Sequence, residues 1–165
     1  MPSASAARTP RSPSASIVPS ADDLEALEAR LGYRFRDRAL LLEALTHRSY
    51  ANEHPDARDN EALAFLGDAV LALVVAQELR AADRDAAVGA LTLRRAALVS
   101  GPNLARWAER LALGSALRLG RGEQQTGGAA KESVLATAFE AVLGAVYLEA
   151  GVAAARRVVA SLALW

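Results

Sequence analysis

The chain has 165 residues, enough for one domain with a substantial core, and it contains no cysteine, which excludes disulfides and favours a reducing cytoplasm. Lys plus Arg and Asp plus Glu each number 19; residues 1–20 hold two of the arginines and no acid, which leaves 17 basic against 19 acidic residues, a net charge of −2. This balance excludes the strongly basic surface of a free-standing nucleic-acid binder, so a polyanionic partner would need local clusters or metal ions.

Residues 1–20, MPSASAARTPRSPSASIVPS, are rich in Ser, Ala and Pro, and prolines at positions 2, 10, 13 and 19 prevent a continuous helix. We predict a disordered tail here. An Arg- and Ser-rich segment without acids is also typical of an organelle transit peptide, but the prolines disfavour the amphipathic helix that such a peptide forms. The folded domain is therefore expected at residues 21–165.

Helical periodicity begins directly after this tail. Ser20 or Asp22 can cap a first helix that ends at Gly32, and Asp37 can cap a second helix through RALLLEALTHRS. A long helix is predicted from about residue 60 to about residue 80. Further helices are expected over LTLRRAALVS, NLARWAERLALG, SVLATAFEAVLGAVYLEAG and VAAARRVVASLALW.

The segments between these helices are predicted to be loops. HPDARDN is polar, and GRGEQQTGGAAKES is glycine-rich but lacks the preceding strand and following helix of a nucleotide-binding loop. No sustained alternation or Asn-Gly hairpin indicates a strand. No uninterrupted apolar run approaches the roughly 20 residues of a membrane span. We predict a soluble, all-α domain of about seven helices without a membrane partner.

Acidic residues stand inside two of the apolar helices. On a helix, Glu61, Ala64 and Asp68 share nearly one face, and Glu61 and Asp68 are about 10 Å apart by rise per residue. Asp68 and Glu140 are each flanked by apolar residues, where an unpaired carboxylate is costly. Two interpretations stay open: the two acids are oxygen ligands of Mg²⁺, or each pairs with an arginine or a backbone donor.

Several segments resemble ribonuclease III. NEALAFLGDAVL, residues 60–71, is similar to the family's signature segment, usually NERLEFLGDSVL. LEARLGYRFRDRALLLEALTHRSY resembles the opening helices, LTLRRAALVSGPNLARWAERLALGSALRLGRGE the middle segment, and GGAAKESVLATAFEAVLGAVYLEAG the closing segment, usually ESILADTFEALLGAIYLD. The matches run in order from about residue 24 to about residue 160. They imply the family's nuclease domain, without the additional double-stranded-RNA-binding domain of many members.

The resemblance also implies a metal site. Members of the family use four carboxylates to hold magnesium ions that activate water and stabilise the departing 3′ oxygen, so that each strand of double-stranded RNA is cut. Asp68 and Glu140 match two of these positions, but Ala64 and Thr137 stand at the other two. Mg²⁺, or Mn²⁺ in its place, is therefore expected to bind weakly. Glu61 lies on the correct helix face, but it would need a rotated helix to compensate.

Four more residues are candidates for specific roles, two of them, Phe65 and Glu123, because of the resemblance. Phe65 matches an aromatic residue that packs across the family's dimer interface, with ordinary core packing as the alternative. Glu123 matches an acidic loop residue near the site, and Arg95 is a candidate phosphate contact, although both residues also suit solvated positions. His47 is expected to make a structural hydrogen bond rather than to act as a general base.

Three functions remain open from the sequence. The first is a domain acting on double-stranded RNA in RNA processing, including ribosomal RNA, whose cleavage is lost or weakened. The second is an active magnesium-dependent homodimeric endonuclease that uses Asp68, Glu140 and a compensating ligand. The third is a non-catalytic RNA-binding subunit, associated with the ribosome or with another family member that supplies a complete site.

Overall fold

A computed structural model describes residues 18–162 of the chain. Eight α-helices lie in this range: α1 (Ala21–Leu31), α2 (Arg38–Ala44), α3 (Arg48–Glu53), α4 (Glu61–Ala82), α5 (Val88–Leu98), α6 (Gly101–Arg110), α7 (Arg121–Gln125) and α8 (Glu132–Leu162). Two 3-10 turns, Leu113–Ala116 and Gly128–Ala130, complete the elements, and no strand occurs among the described residues. The all-α prediction is confirmed. The tail predicted for residues 1–20 lies outside the described residues, except for its last three positions.

The ends of the first helices follow the sequence signals. Ser20, not Asp22, caps α1: its hydroxyl accepts from the backbone N–H of Asp23, whose carboxylate accepts from the Ser20 N–H. This reciprocal capping box satisfies two donors of the first turn. Gly32 ends the helix with a left-handed φ of 67°, and Asp37 accepts two backbone N–H bonds at the start of α2.

The second helix is shorter than predicted. It ends at Ala44, because an isolated parallel bridge pairs Thr46 with Arg118, and two backbone hydrogen bonds of 2.8 and 3.0 Å flank this bridge. The separate helix α3 then begins with His47 as its N-cap, and Nδ1 of His47 accepts from the Ser49 N–H. The structural role predicted for His47 is confirmed. The prediction of a single helix through THRS was wrong, because the pairing of Thr46 with Arg118, which is distant in sequence, interrupts the helix.

The glycine-rich segment and the end of the chain also differ in detail from the prediction. GRGEQQTGGAAKES is not simply a loop, because it contains α7 and the second 3-10 turn. Helices α3 and α7 add two to the predicted seven, but the two helices predicted on either side of Gly151 form one bent helix, α8, so the described residues hold eight α-helices. The predicted break at Gly151 is confirmed: α8 bends there, where φ is 75° and ψ is −179°.

Helices α4 and α8 cross at the centre of the domain and make its most extensive helix contact. Both have the length and mean hydropathy of membrane-spanning helices, 1.8 and 1.5 in their most apolar windows, although neither is uninterrupted by polar residues. About half of each window is buried within the protein, 44% and 56% respectively. The largest fully buried side chains include Leu71, Phe139 and Leu143 from these two helices. We conclude that α4 and α8 are core helices.

Candidate functional site

Two glycines allow the backbones of α4 and α8 to touch. A Cβ atom on Gly67 would overlap the carbonyl oxygen of Glu140, and a Cβ on Gly144 would overlap the carbonyl oxygen of Leu63. No residue larger than glycine fits at either position without moving a helix. Since Asp68 follows Gly67 directly, this crossing brings Asp68 to the level of Glu140.

The two predicted carboxylates interact across the crossing. Burial, and then the negative charge of Asp68, raises the pKa of Glu140 from its ordinary value of 4.5 to about 7. Glu140 is partly buried, as its apolar sequence context indicated. Asp68 is exposed, so the expectation that it lies in buried surroundings was wrong. Asp68 lies at the edge of the core, where α4 passes from its packed face to solvent, and water can solvate its charge.

Alanine and threonine occupy the next turn of each helix. Ala64 is buried one turn before Asp68 on α4, and Thr137 is partly buried one turn before Glu140 on α8. Within residues 18–162, no group of three or more His, Cys, Asp or Glu side chains is placed to hold a metal ion. The crossing therefore offers two carboxylates. This donor set fits one Mg²⁺ ion, which proteins often bind through one or two carboxylates together with water and substrate phosphates.

Glu61 has a different partner. Its Oε1 accepts a 3.0 Å hydrogen bond from Arg48 at the start of α3. Both side chains are more than half exposed, so this ion pair contributes little to stability. Glu61 remains about 10 Å from Asp68 along α4. The structure thus directs Glu61 towards α3 rather than into the carboxylate pair.

Glu123 has specific partners and is not simply a solvated loop acid. Lys131 Nζ donates a 2.6 Å hydrogen bond to Glu123 Oε1 and a 3.0 Å bond to the hydroxyl of Thr126. The hydrogen bond from Lys131 lowers the pKa of Glu123, and the charges of Lys131 and His47 act in the same direction. Glu123 therefore lies between the start of α3 and the segment that leads into α8.

Phe65 lies on the solvent side of α4. Its side chain is 83% exposed, which excludes the alternative of packing in the core. It belongs to an outer face of α4 that consists of apolar residues, namely Ala62, Phe65, Ala69, Ala72, Leu73 and Ala76. This face points away from α8, since it is opposite Gly67 on the helix.

The structure does not place Arg95 beside the carboxylates. Arg95 lies on α5, which packs against α4 and α6, and it lines a cavity of about 410 Å³ together with Ala76 and Arg80 of α4. Along α4, this cavity begins about 12 Å beyond Asp68 by rise per residue. An electrostatic contribution of Arg95 at the carboxylate pair is therefore small compared with that of groups at the crossing.

Sequence reasoning did not identify the residues that assemble this region. Gly67 and Gly144 set the helix crossing, and a glycine inside a helical pattern is the signal that could have revealed a close approach. Lys131 and the α3 residues Ser49 and Glu53 hold the segment around Glu123. These contacts join residues that are 8 to 71 positions apart in the sequence, and no local sequence pattern predicts them.

The chain is thus an all-helical domain with facing carboxylates on two crossing central helices. A family model described as Ribonuclease-III-like matches residues 37–164. A nuclease domain of ribonuclease III from Campylobacter jejuni superimposes with a TM-score of 0.80 at 42% sequence identity, covering 84% of this chain and 94% of that one. That protein has a region involved in dimer formation, which shows structural flexibility.

Longer relatives belong to the same family. Ribonuclease 3 of Oceanobacillus iheyensis is 53% identical over 131 residues, which cover 78% of this chain and 58% of the relative. Ribonuclease 3 of Symbiobacterium thermophilum is 54% identical over 129 residues, which cover 78% of this chain and 54% of the relative. The chain belongs to the ribonuclease III family. It spans a little over half the length of these relatives.

Proposed function

We propose that this nuclease domain binds double-stranded RNA as a homodimer in RNA processing and that its cleavage activity is lost or strongly weakened. The observation that carries the proposal is the pairing of only two carboxylates, Asp68 and Glu140, at the α4–α8 crossing. The scaffold that would hold a complete site is present, because Gly67 and Gly144 keep the helix crossing close. The family supplies the substrate class.

Asp68 and Glu140 are the residues that would hold Mg²⁺. When bound, the ion supplies an activated water and stabilises the leaving oxygen. A cation between the two carboxylates would favour the charged form of Glu140, whose pKa is raised to about 7 by burial and by Asp68. The chain's own contribution is to hold the two acids on facing helices, with Asp68 open to water and to a phosphate.

The positions at Ala64 and Thr137 limit this site. Alanine supplies no ligand atom, and a neutral threonine hydroxyl does not replace a carboxylate in attracting a divalent cation. Both residues lie one turn from the remaining acids, where longer acidic side chains would extend the same pair. Residues that bind one ion act as a unit, so the loss of two ligands costs more than a weak change in affinity. We therefore expect weak Mg²⁺ or Mn²⁺ binding and little or no turnover.

The outer face of α4 supports the homodimer. Phe65 is 83% exposed and Leu73 is 49% exposed, and small alanines surround both of them. Exposed aromatic side chains on an apolar surface are typical of interface anchors. The region involved in dimer formation in the Campylobacter jejuni relative supports the same assembly. A cytoplasmic location fits the family and the cysteine-free chain.

The test is cleavage of a long RNA duplex under single-turnover conditions in Mg²⁺ and in Mn²⁺. The unmodified chain is expected to bind the duplex weakly, with strong salt dependence, and to show no cleavage in Mg²⁺ and at most a trace in Mn²⁺. The double variant Ala64→Glu, Thr137→Asp is expected to gain magnesium-dependent cleavage, which Asp68→Asn then abolishes. A control, Ala29→Glu with Ala160→Asp, adds the same charge at two exposed alanines and is expected to stay inactive.

Two results would reverse the proposal. Robust magnesium-dependent cleavage by the unmodified chain, abolished by Asp68→Asn, would show that two carboxylates suffice with water, phosphate or Glu61. No duplex binding at any salt concentration by the dimer would remove the RNA-binding function itself.

A further inference from the structure

The short helix α7 lacks a cap of its own. It begins at Arg121, and the preceding N-cap residue is Gly120, which has no side chain to accept hydrogen bonds from the first turn. The first N–H groups of a helix have no partner within the helix, so they need other acceptors. A five-residue helix has few internal hydrogen bonds, and its order depends strongly on such contacts.

Helix α3 supplies these acceptors. The hydroxyl of Ser49 accepts from the Gly120 N–H at 2.9 Å, and Glu53 Oε1 accepts from the Arg121 N–H at 2.9 Å. Glu53 Oε2 also accepts from Nε of Arg121 at 3.3 Å. The negative charge of Glu53 at the N-terminus of α7 is favourable for the peptide dipoles.

The fit between α3 and Gly120 is close. A Cβ atom on Gly120 would lie 2.5 Å from the Ser49 carbonyl oxygen and 2.7 Å from Glu53 Oε1. A residue with its own capping side chain, such as serine or aspartate, therefore does not fit at position 120. The absence of a side chain at Gly120 therefore leaves the space in which Ser49 and Glu53 of α3 cap α7.

This cap fixes the position of Glu123, the third residue of α7. The carboxylate of Glu123 accepts from Lys131, and His47, the N-cap of α3, lies near enough for its charge to act on the same carboxylate. Gly128 closes the other side, where a Cβ would lie 2.5 Å from Cγ of Glu123. Movement of α7 away from α3 would separate Glu123 from His47 and strain its bond to Lys131.

We propose that Glu53 is a positioning residue, which caps α7 from α3 and thereby holds Glu123 in the orientation used for duplex RNA. The RNA part of this inference rests on the proposed function, whereas the cap itself does not. Glu53 touches neither substrate nor metal in this role. It acts through the backbone of α7.

The test compares three variants in the otherwise unmodified chain. Glu53→Gln keeps an oxygen that can accept from the Arg121 N–H but loses the ion pair, while Glu53→Ala loses both. Glu25→Ala removes an exposed acid of α1 as a matched control. The readouts are amide hydrogen exchange at Arg121, a carboxyl-detected NMR titration of Glu123, and duplex RNA binding at several salt concentrations.

In Glu53→Ala, the Arg121 amide is expected to exchange at least tenfold faster, and the pKa of Glu123 is expected to rise towards its ordinary range. Glu53→Gln and Glu25→Ala are expected to retain the protection and the low pKa. Duplex affinity in Glu53→Ala is expected to fall about threefold to tenfold below that of Glu53→Gln, as for the loss of one helix cap. The comparison with Gln removes the effect of freeing Arg121, because both variants lose that ion pair.

Unchanged Arg121 protection in Glu53→Ala would overturn the proposal, and so would an equal rise of the Glu123 pKa in all three variants. If the NMR changes occur as expected but the chain does not bind duplex RNA, the cap is supported and the proposed RNA function fails. If binding falls equally in Glu53→Ala and Glu53→Gln, charge rather than capping is responsible and the positioning role is excluded.

Discussion

The packed face of the α4–α8 crossing and the carboxylate edge beside it lie within one helical turn of each other, yet they differ in burial and in charge. At the packed face, Gly67 and Gly144 let the backbones touch, and side chains such as Leu71 and Leu143 are fully buried. At the edge, Asp68 and Glu140 remain while Ala64 and Thr137 carry no charge. The close contact between the two helix backbones is thus formed with uncharged side chains at positions 64 and 137.

A third region, the outer face of α4, differs from both in its exposure to solvent. The outer face of α4 carries apolar residues like its packed face, but it is uncovered, with Phe65 83% exposed. Helix α5, which lies beside α4, has no buried residue, and Val88 and Leu93 are 80% and 74% exposed. Large exposed apolar side chains on adjoining helices are typical of a surface that a partner covers, which agrees with the proposed homodimer.

The largest expected effect comes from breaking the crossing with Gly67→Ala. The added Cβ overlaps the Glu140 carbonyl oxygen, so the helices must separate, and we expect a loss of about 4 kcal/mol or more in the free energy of unfolding. Gly122→Ala is the matched control, since a Cβ there meets nothing within 4 Å, and it should be neutral or stabilising by up to about 1 kcal/mol. Urea unfolding measures both. If Gly67→Ala is as stable as the wild type, the close contact between α4 and α8 is not needed for the stability of the fold.

The next effect concerns the uncovered face. Phe65→Ala is expected to weaken dimerisation by about 2 to 4 kcal/mol, because a central aromatic anchor is lost from both subunits. Sedimentation velocity over a concentration series measures the dissociation constant. Leu148→Ala, which removes a 56% exposed apolar side chain from α8, is the control and should leave dimerisation unchanged. A monomeric wild type at micromolar concentrations would contradict the homodimer.

A smaller effect is expected in the pH dependence of stability, which depends on Glu140 at the carboxylate edge. Because the pKa of Glu140 is raised from 4.5 to about 7, the folded chain retains a proton that the unfolded chain releases between these values. Stability is therefore highest near or below pH 4.5 with respect to this group, and it falls as pH rises through 7. We expect a loss of about 1 to 2 kcal/mol, after allowing for solvent screening of a partly exposed group.

The difference in stability between wild type and Glu140→Gln, measured by urea unfolding at pH 5 and pH 8, isolates this contribution from other titrating groups. Asp68→Asn should reduce it, since the Asp68 charge is one cause of the raised pKa. An identical pH dependence in wild type and Glu140→Gln would mean that Glu140 is not perturbed.

Much of this fold was predictable because its signals are local. Ser20 and Asp37 cap helices where the sequence predicts, Gly32 ends the first helix, and Gly151 bends the last one. The end of α2 was not predictable, because it depends on pairing between Thr46 and Arg118, which are 72 positions apart. The periodicity of apolar residues predicts a helix, but it does not show which distant segment will pair with the chain and end that helix.

The proximity of Asp68 and Glu140 was predictable from the sequence, but the difference in burial between the two carboxylates was not. Apolar neighbours of Asp68 suggested burial, yet the side chain is exposed, because the residues flanking a helix position point in directions about 100° away. The apolar neighbours of Glu140 correctly predicted its partial burial, since α4 packs over that turn of α8. Helix α4 is apolar nearly all round, and only the tertiary structure shows which side is covered.

The most direct measurement is Mn²⁺ binding by electron paramagnetic resonance, made on the RNA-free protein so that it does not depend on turnover. Wild type is expected to bind Mn²⁺ weakly. Ala64→Glu with Thr137→Asp should bind at least tenfold more tightly, while the charge-matched Ala29→Glu with Ala160→Asp should not differ from wild type. Equal affinity of wild type and the Ala64→Glu, Thr137→Asp variant would contradict the proposal that positions 64 and 137 limit the site.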